Sequence, residues 1–434
     1  MLVDADHVHD VLLSLPHVKK LASLCRNLGA YIVGGAVRDA LLGRPIKDVD
    51  LIFPDDPTQL AKNFARQLNG NWFWLDKDRR QSRVIFNADV NIPDFDFAPF
   101  RAPSLGQDLL DRDYTINAMA ITLSTDSTEH ELVDPLCGLD DLRNNVLRMA
   151  SNRAFISDPL RIIKGIRHVT VLGVEPEQET LYNMQCEVMS LYRVADERIR
   201  QEIWSIFASN NASRGLRLLS SSLAGNYLFS KEYSSVTEDV VDLFETCRIR
   251  WSVLKRQCPN IDGWFANEVE QGLSCETLIL WTLMLVQIDQ NLPARLADEW
   301  MLSRRAQKNI RGLAAIGVRG LEDLSTVYHS ERAFAWWTRK TNVDPKILLL
   351  FLAVLGSDHH INLIASWVPL VDSLEGEPPD DFVSGHWLRS ELCLQDGPEM
   401  TIALSLVRDA EISGEVKSEV DAHNLLLRHY KNMD

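Results

Sequence analysis

Apolar and polar positions follow two different patterns along the chain. Up to about residue 150, helical spacing alternates with strand-type alternation, whereas beyond it apolar residues recur three or four positions apart almost throughout. The first pattern is typical of a mixed α+β domain, and the second is typical of packed amphipathic helices. The sequence therefore predicts an N-terminal α+β domain followed by an all-α remainder.

The N-terminal pattern predicts individual elements. Residues 8–27 have helical spacing that Pro16 interrupts, and the apolar stretch YIV (31–33) predicts a strand that ends at a Gly-Gly turn. Further elements are predicted in the order helix AVRDALLG (36–43), strand KDVDLIF (47–53), helix 57–69, and the strands WFWLD, SRVIFN and FDFAPF between residues 72 and 100.

The remainder of the chain is predicted to be helical. The amphipathic segments are 158–171, 194–208, 212–222, 237–256, 274–287, 304–317, 344–354, 361–372, 397–410 and 414–428. The cluster EGEPPDD (375–381) is the best candidate for a linker, because it combines Pro, Gly and like charges. It would set off a tail of about 50 residues.

Composition narrows the class of protein. With 46% hydrophobic and 24% charged residues the chain is expected to be globular, and it contains no apolar run of the ~18 residues that a membrane span requires. The seven cysteines include no CxxC pair, which predicts reduced thiols in a cytoplasmic protein. The net charge of −16 argues against a nucleic-acid partner, although a basic stripe can occur on an acidic protein.

Two acidic residues in KDVDLIF are candidates for metal binding. On a strand, Asp48 and Asp50 point to the same face. Two such close carboxylates repel each other unless a divalent cation lies between them, and Mg²⁺ held by one or two carboxylates is the usual arrangement for nucleotidyl transfer. The alternative is a strand with a solvated face.

The preceding turn strengthens the functional interpretation. Gly34 and Gly35 lie between a strand and a helix, where bare backbone N–H groups can bind a triphosphate. Arg38, one turn into the helix, can add a charge-assisted contact to phosphate. A Gly-Gly pair alone is an ordinary turn, but the two carboxylates that follow favour a nucleotide site.

Four motifs in order resemble a known family. YIVGGAVRDALLGRPIKDVDLIF (31–53), DLLDRDYTINAMA (108–120), SDPLRIIKGIRH (157–168) and ERIRQEI (197–203) are similar to the signatures of class II tRNA nucleotidyltransferases and bacterial poly(A) polymerases. The resemblance covers roughly residues 28–205, and SGHWLRS…GPEM…LVRDAEISGEV (384–416) resembles the family's C-terminal domain more loosely.

The resemblance implies a polymerase β-like catalytic domain with helical neck, body and tail domains. It also implies Mg²⁺-dependent addition of nucleotides from CTP, and from ATP where a terminal A is added, to the 3′ end of tRNA with release of pyrophosphate. The implied domains are a catalytic head (1–150), a neck with a base-selecting helix (151–235), a body (236–374) and a tRNA-binding tail (375–434).

Residue roles follow from the same resemblance. The family assigns the motif that contains Arg112, Asp113 and Asn117 to ribose recognition and domain coupling, and Asp111 stands where the family often has a second arginine. The alternative is a capped helix start with buried polar partners. Glu197 and Arg198 of ERIRQEI are expected to brace the base-selecting helix.

Polar residues in the segment expected to form the base-selecting helix are spaced as on one side of a helix. Asp158, Arg161, Lys164 and Arg167 recur every third position and are expected to line one side. The family uses the first two to select the base, and a carboxylate with a guanidinium matches the edge of cytosine. Ser157 stands where the family usually has Glu, and it is expected to cap the helix and leave the Asp158 side chain free.

Two further features concern catalysis and product. Asp94 and Asp96 share a strand face, so either can be a third catalytic acid, with Asp96 the candidate, or part of a salt bridge. Only APSLGQ (102–107) separates Arg101 from Asp108, where family members that add the terminal A carry a longer flexible loop. This favours CC addition. The alternatives are CCA addition, poly(A) polymerase activity, although a GRRF-type segment is absent, and an inactive RNA-binding relative.

RNA is expected to bind basic surface in the helical part, with solvated helix faces as the alternative. Two candidate stripes are Arg248, Arg250, Lys255 and Arg256 on one helix, and Arg304, Arg305, Lys308 and Arg311 on another.

Overall fold

The computed structural model describes residues 5–86, 91–124, 131–328, 330–373 and 379–431. The chain divides into two compact units. The first, the sheet unit, contains Met1–Ile199 with Ser221–Ala224, and the second, the helical unit, contains Arg200–Ser220 with Gly225–Asp434. Among the described helices, none combines the length and the apolar character that a membrane span requires.

The sheet unit is built on a mixed sheet. Within the described residues its strand order is β3-β4-β5-β2-β1-β6-β7, in which β2 and β5 are parallel and the other neighbours are antiparallel. The strands are β1 (Tyr31–Val33), β2 (Asp48–Phe53), β3 (Asn71–Asp76), β4 (Gln81–Ile85), β5 (Asp94–Pro99), β6 (Ala120–Thr122) and β7 (Leu132–Val133), with β8 (Val146–Leu147) and β9 (Glu175–Pro176) paired separately.

The helices of the sheet unit flank these strands. They are α1 (Ala5–Ser14), α2 (Val18–Leu24), α3 (Gly35–Leu41), α4 (Thr58–Leu68), α5 (Leu105–Leu110), α6 (Gly138–Arg143), α7 (Ala154–Ser157), α8 (Leu160–Leu172) and α9 (Gln178–Glu187), with 3-10 turns at Thr115–Asn117 and Val188–Arg193. The predicted break near Pro16 is confirmed, because His17 has a φ of 68° between α1 and α2.

Alternation along β5 shows why this sheet has two different faces. Phe95 and Phe97 are fully buried against Phe64 of α4, at ring-centroid distances of 5.1 and 5.9 Å. Asp94 and Asp96 therefore point to the opposite face. One face of the sheet packs on a helix, and the other is left for the polar residues of the site.

The helical unit is reached through α10 (Asp196–Phe207), which begins in the sheet unit. It contains α11 (Ala212–Ser221), α12 (Ala224–Leu228), α13 (Tyr233–Gln257), α14 (Asp262–Ala266), α15 (Cys275–Ile288), α16 (Leu292–Glu299), α17 (Arg304–Ile316), α18 (Arg319–Val327), α19 (Glu331–Thr341), α20 (Pro345–Leu355), α21 (Asp358–Ser373), α22 (Gly385–Leu392), α23 (Pro398–Ser413) and α24 (Glu419–Lys431), with the strands β10 (Glu268–Glu270) and β11 (Leu273–Ser274).

The fold class is confirmed, with one correction. A mixed α+β unit precedes a mostly helical remainder, and every predicted helical segment corresponds to a helix. The remainder is not purely helical, however, because β9, β10 and β11 lie within it. Two or three residues are too few to produce a recognisable alternation, which also explains why β6 and β7 were not predicted.

The C-terminal helices have a core of their own. Its buried members include Leu388, Val407 and Leu426, from α22, α23 and α24. Residues 375–378 of the predicted linker EGEPPDD (375–381) lie outside the described residues. The division into head, neck, body and tail stays a prediction.

Candidate active site

The pairing of β2 with β5 gathers four carboxylates on one face of the sheet. Because these strands are parallel and in register, Asp48 lies opposite Asp94, and Asp50 lies opposite Asp96. The side chain of Asp48 is 58% exposed, whereas Asp50 is half-buried. The structure thus brings the two predicted metal ligands together with the candidate third acid.

The carboxylates of this face do not all ionise easily. Burial, reinforced by the charges of Asp96 and Asp48, raises the pKa of Asp50 to about 6, although Arg112 and Arg101 act in the opposite direction. Burial also raises the pKa of Asp48; Arg83 opposes this rise, and Asp94 and Asp96 add to it. Such strained negative charge is what a bound cation relieves.

Arg83 is a member of the site that the sequence analysis missed. Its guanidinium, on β4, lies 2.6 and 2.8 Å from the two carboxylate oxygens of Asp96, 3.3 Å from Asp94 and 4.0 Å from Asp48. The hydrogen bond with Asp96 is the main reason that the pKa of Arg83 is raised. In SRVIFN, Arg83 lies between Ser82 and Val84, which are buried. This alternation was the signal that could have placed the Arg83 side chain on the polar face of the sheet.

The ion pair bears on the two alternatives for Asp96. The salt bridge that was weighed against a catalytic role is present in the structure, and it is bidentate. Asp96 lies beside Asp50 all the same. Its role as a third catalytic acid stays a prediction.

The Gly-Gly turn packs directly on these carboxylates. Gly34 has a φ of 73°, and a Cβ atom there would lie 3.1 Å from Nη1 of Arg112 and 3.4 Å from Oδ2 of Asp50. Only glycine fits this conformation and this close approach. One expectation is corrected: the Gly34 N–H is not bare but donates to the carbonyl of Met119 at 3.2 Å, as part of the edge between β1 and β6.

Arg38 points into the protein. Its Nη1 donates to Oδ1 of Asn117 at 2.6 Å, and its Nε and Nη2 donate to the carboxylate of Asp39 at 2.9 Å each. The guanidinium also lies against the turn, since a Cβ atom on Gly35 would be 3.5 Å from Nη2. Arg38 therefore supports the turn from behind.

The motif DLLDRDYTINAMA forms a hydrogen-bonded layer beside the turn. Oδ1 of the buried Asp108 accepts from the N–H of Arg101 at 2.8 Å, and Oδ2 accepts from Arg112 at 3.3 Å. Asp113 accepts from Nδ2 of Asn117 at 3.1 Å. Burial alone would raise the pKa of Asp113, but the charge of Lys164 and the hydrogen bonds from Asn117 and from the N–H of Tyr114 hold it low, so the carboxylate is ionised.

Helix α8 exposes three of the four predicted polar residues on one side. Arg161, Lys164 and Arg167 are half-buried and the residues between them are buried, whereas the half-buried Asp158 lies just before the helix. The guanidinium of Arg161 donates to the carbonyls of Asp111 and Arg112 at 2.7 and 3.0 Å. This contact fixes the start of α8 against the neighbouring motif.

The predicted cap of α8 is wrong. Ser157 ends the short helix α7, and Oδ1 of Asp158 accepts from the N–H of Leu160 at 3.2 Å. The Asp158 side chain is therefore not free, and its Oδ2 also accepts from Arg198 at 3.1 Å. This last contact is the bracing that was expected of ERIRQEI. The physical reason is that a β-region Asp just before a helix reaches the first N–H groups more easily than the residue before it.

A cleft of about 890 Å³ opens within the sheet unit beside these residues. It is wide enough for a nucleotide. Its lining comes from the ends of β4 and β5, from the DRD motif (Asp111–Asp113) with the preceding Leu110, and from the segment that leads into α8: Arg79, Gln81, Pro99, Phe100, Arg101, Leu110, Asp111, Ser151, Arg153, Ser157, Asp158 and Arg161. The predicted base-selecting pair thus shares one cleft with several cationic side chains.

The residues present fit a divalent cation that binds together with a nucleotide. Within the described parts of the chain, no three acidic, His or Cys side chains converge as a complete metal cage. Mg²⁺ commonly uses one or two carboxylates and completes its octahedron with substrate phosphates and water. Asp48 and Asp50, with their raised pKa values, match that demand.

The two predicted basic stripes of the helical unit differ. Arg250 is 21% exposed and donates to carbonyls of Ala353 and Gly356 at the end of α20. Arg248 donates to carbonyls of residues 209 and 210, and Lys255 pairs with Asp262. These contacts contradict the first stripe as one exposed surface, because Arg248 and Arg250 donate to backbone carbonyls and Lys255 is paired, whereas Arg256 is exposed.

The second stripe is exposed along α17. Arg304, Arg305, Lys308 and Arg311 all face solvent. A groove of about 420 Å³ is lined by the first, third and fourth of these, with Asn342 at its edge. Arg305 pairs with Asp344 at 3.3 Å, and Arg311 pairs with Asp298 at 2.5 Å. The groove is therefore cationic, with part of its positive charge neutralised by these ion pairs.

Comparisons with known proteins agree with this geometry. Residues 30–148 match the model of the Poly A polymerase head domain, and residues 173–235 match that of the probable RNA and SrmB-binding site of polymerase A. The chain is 27% identical to the CC-adding tRNA nucleotidyltransferase of Geobacter sulfurreducens, over 98% of this chain and 97% of that protein.

Two further relatives have other products. The A-adding tRNA nucleotidyltransferase of Deinococcus radiodurans is 37% identical, over 44% of this chain and 43% of its own. The solved structure of the Thermotoga maritima CCA-adding enzyme complexed with tRNA aligns over 98% of both chains, with a TM-score of 0.66 and 24% identity, and it supports the fold.

Fold and site together define a nucleotidyltransferase, with an α+β catalytic domain followed by helices. The chain belongs to the family of class II tRNA nucleotidyltransferases and bacterial poly(A) polymerases. Enzymes of this family generally depend on divalent metal ions.

Proposed function

We propose that this tRNA nucleotidyltransferase adds two C residues to the 3′ end of tRNA, using CTP and releasing pyrophosphate. The observation that carries the proposal is the cleft that Asp158 and Arg161 share with Arg101, whose charge also acts on the carboxylate of Asp50. One part of the site suits a base, and the neighbouring part suits a metal-bound triphosphate.

Asp48 and Asp50 are the proposed Mg²⁺ ligands. When bound, Mg²⁺ would neutralise phosphate charge and stabilise the attacking and leaving oxygens. The raised pKa of Asp50 supports the assignment, because burial and the neighbouring Asp96 disfavour the ionised carboxylate, which a bound cation would stabilise. The overall reaction joins the 3′-oxygen of the RNA to the α-phosphorus of CTP, breaks the bond to the β-phosphate and releases the hydroxyl proton.

The remaining site residues are proposed to orient the nucleotide. Gly34 and Gly35 let the backbone approach the triphosphate, and Arg38 and Arg112 hold that turn in place. Asp113 and Asn117 can hydrogen-bond to ribose, where a 2′-hydroxyl distinguishes RNA precursors. Asp96, freed from Arg83, is the candidate acceptor for the 3′-hydroxyl proton.

Base selection is assigned to α8. The carboxylate of Asp158 can accept from N4 of cytosine, and Arg161 can donate to N3 and O2. Arg161 already holds two carbonyls of the DRD motif, so it presents its remaining donors from a fixed position. Lys164 and Arg167 continue the same side of the helix, where Lys164 contributes to keeping Asp113 ionised.

The short connector supports CC as the product. Ser104 caps α5 by accepting from the N–H of Gln107, so the segment after Arg101 leads almost directly into a helix. A segment that is mostly cap and helix has little freedom to swing across a cleft. The relative from Geobacter sulfurreducens, which matches over nearly the whole chain, is named as CC-adding.

RNA is proposed to bind the second basic stripe. Arg304, Lys308 and Arg311 line one groove, and Arg305 and Lys308 line a neighbouring cavity of about 340 Å³. Cationic grooves of this kind suit a phosphate backbone.

A direct assay tests the product. tRNA ending at the discriminator base is incubated with CTP alone, and tRNA ending in CC is incubated with ATP alone. We expect two C residues in the first reaction and no extension in the second. Addition of one A to the second substrate would identify a CCA-adding enzyme, and repeated addition of A would identify a poly(A) polymerase. No extension in either reaction would indicate an inactive relative.

A further inference from the structure

A buried imidazole lies behind the candidate active site and has no part in the chemistry proposed above. His168, on α8, is 3% exposed, and its Nε2 lies 3.2 Å from Nδ2 of Asn117. Its Nδ1 is buried and has no hydrogen-bond partner among the described residues. Among the described residues, the contact with Asn117 is therefore the hydrogen bond that orients the ring.

The partners of Asn117 determine where His168 carries its proton. Arg38 can only donate, so its Nη1 faces the Asn117 carbonyl oxygen at 2.6 Å. The ionised Asp113 can only accept, so it receives one hydrogen of Nδ2 at 3.1 Å. The second Nδ2 hydrogen points at Nε2 of His168, which must offer a lone pair. The ring is therefore neutral with its proton on Nδ1.

The charges around the ring favour the same state. Arg38 faces it from α3, Asp113 faces it from the segment before Tyr114, and Lys164 and Arg167 lie on α8 itself. Burial and the three cations lower the pKa of His168, and only Asp113 acts in the opposite direction. The neutral acceptor form is thus maintained at neutral pH.

A second contact joins α8 to the segment that carries Asp113 and Asn117. The hydroxyl of Tyr114 donates to the carbonyl of Arg161 at 2.7 Å, and its ring lies edge-on to His168 with centroids 5.8 Å apart. A Cβ atom on Gly165 would lie 2.1 Å from the Tyr114 hydroxyl, so only glycine allows this approach. Helix α8 is therefore shaped to receive the segment that carries Asp113 and Asn117.

We propose that His168 is a positioning residue for nucleotidyl transfer. By accepting from Asn117, it locks that amide between Arg38 and Asp113, and so it ties α3, which begins at the Gly-Gly turn, to α8, which carries the base-selecting residues. The inference rests on the proposed function of this site. The consequence is that His168 controls how the bound nucleotide is aligned for attack, and not how tightly tRNA binds.

Steady-state kinetics with CTP and tRNA lacking its CCA end test the proposal. His168→Phe fills the same space but cannot accept, and it should lower kcat about tenfold. The KM for tRNA should not change. His168→Gln, whose amide oxygen can accept from Asn117, should restore kcat to within about threefold of wild type. A His168→Phe change added to Asn117→Leu should cost nothing more, because the shared interaction is already lost.

Selective ¹⁵N-histidine labelling gives a readout that is independent of activity. The His168 signals are those missing from His168→Phe, or shifted away in His168→Gln if the Phe variant does not fold. We expect a neutral ring with the proton on Nδ1 between about pH 8 and pH 6. A proton on Nε2, a charged ring, unchanged kcat in His168→Phe, or losses that add in the double variant would each overturn the proposal. An inactive wild-type enzyme that shows the expected tautomer would count against the proposed function instead.

Discussion

The carboxylate face of the sheet unit and the ion pairs of the helical unit differ in how completely their charges are balanced by neighbouring groups. On the sheet face, Asp48 and Asp50 share a crowded negative site in which the pKa of each is raised. In the helical unit, many charged side chains form matched pairs, such as Arg408 with Asp381 at 2.6 Å and Arg217 with Glu238 at 2.8 Å. Charge that lacks a partner in the protein indicates a ligand-binding site, whereas paired charge indicates a role in stabilising the fold.

The comparison also explains why the net charge of the chain is a poor guide to where RNA can bind. The chain carries −16 overall, yet the relevant question is where charge lacks a partner. Arg250, which looks available in the sequence, closes the end of a helix. Lys308, on the exposed second stripe, lines both grooves. Local pairing, and not the total, decides which residues can meet RNA.

The largest expected effect comes from removing the unbalanced charge. Asp48→Ala or Asp50→Ala should lower the rate of C addition by at least about 10³-fold, because the cation would lose half of its protein ligands. Single-turnover assays with Mg²⁺ measure the loss, and the exposed Asp55→Ala on the same segment is the control. Activity near that of the control would place the metal ligands elsewhere.

A smaller loss is expected from the base-selecting helix. Arg161→Ala should reduce the preference for CTP over UTP by about 10- to 100-fold, the value of one lost bidentate base contact. The ratio of kcat/KM for the two nucleotides measures it, with the exposed Arg143→Ala as control. If the preference survived while kcat fell, Arg161 would act only through the carbonyls of Asp111 and Arg112.

Relieving the charge should stabilise the protein while inactivating it. The pKa of Asp50 is about 6 in the folded protein and near 3.8 when unfolded, so ionisation favours the unfolded state as pH rises between these values. Asp50→Asn removes this penalty and should raise the free energy of unfolding by about 1–3 kcal/mol at pH 8, with no gain at pH 4.

Denaturant unfolding in EDTA measures the effect. Asp48→Asn is the matched comparison and should gain less, because Asp48 is 58% exposed. Equal gains, or a loss in Asp50→Asn at pH 8, would show that the sheet face is not electrostatically strained.

What the sequence predicted of the fold and site was mostly local. Alternation placed Asp48 and Asp50 on one face of β2, and threefold spacing placed Arg161, Lys164 and Arg167 on one side of α8, as the structure has them, whereas Asp158 lies just before that helix. Such patterns depend on neighbours along the chain, for which the geometry of a strand or helix suffices.

What it could not predict was pairing at long range. Arg83 meets Asp96 because β4 and β5 are neighbours in register, and no period in the sequence specifies that neighbour. The acceptors of Arg250 lie more than 100 residues away. His168 is in the same class: its position on α8 was visible, but its contact with Asn117, 51 residues earlier, was not.

The smallest expected effect tests whether the helical unit also has charge that waits for a ligand. Arg304→Glu with Lys308→Glu should weaken tRNA binding by about three- to tenfold at ~0.1 M salt. The slope of log affinity against log salt concentration should become shallower by about one to two units, because binding through fewer phosphate contacts releases fewer counterions. Filter binding across a salt series measures both quantities. Arg248→Glu with Lys255→Glu is the matched control, since these cations already pair within the unit. Equal weakening by both pairs would mean that the response follows net charge alone, and the contrast between matched and unmatched charge would then hold only for the sheet unit.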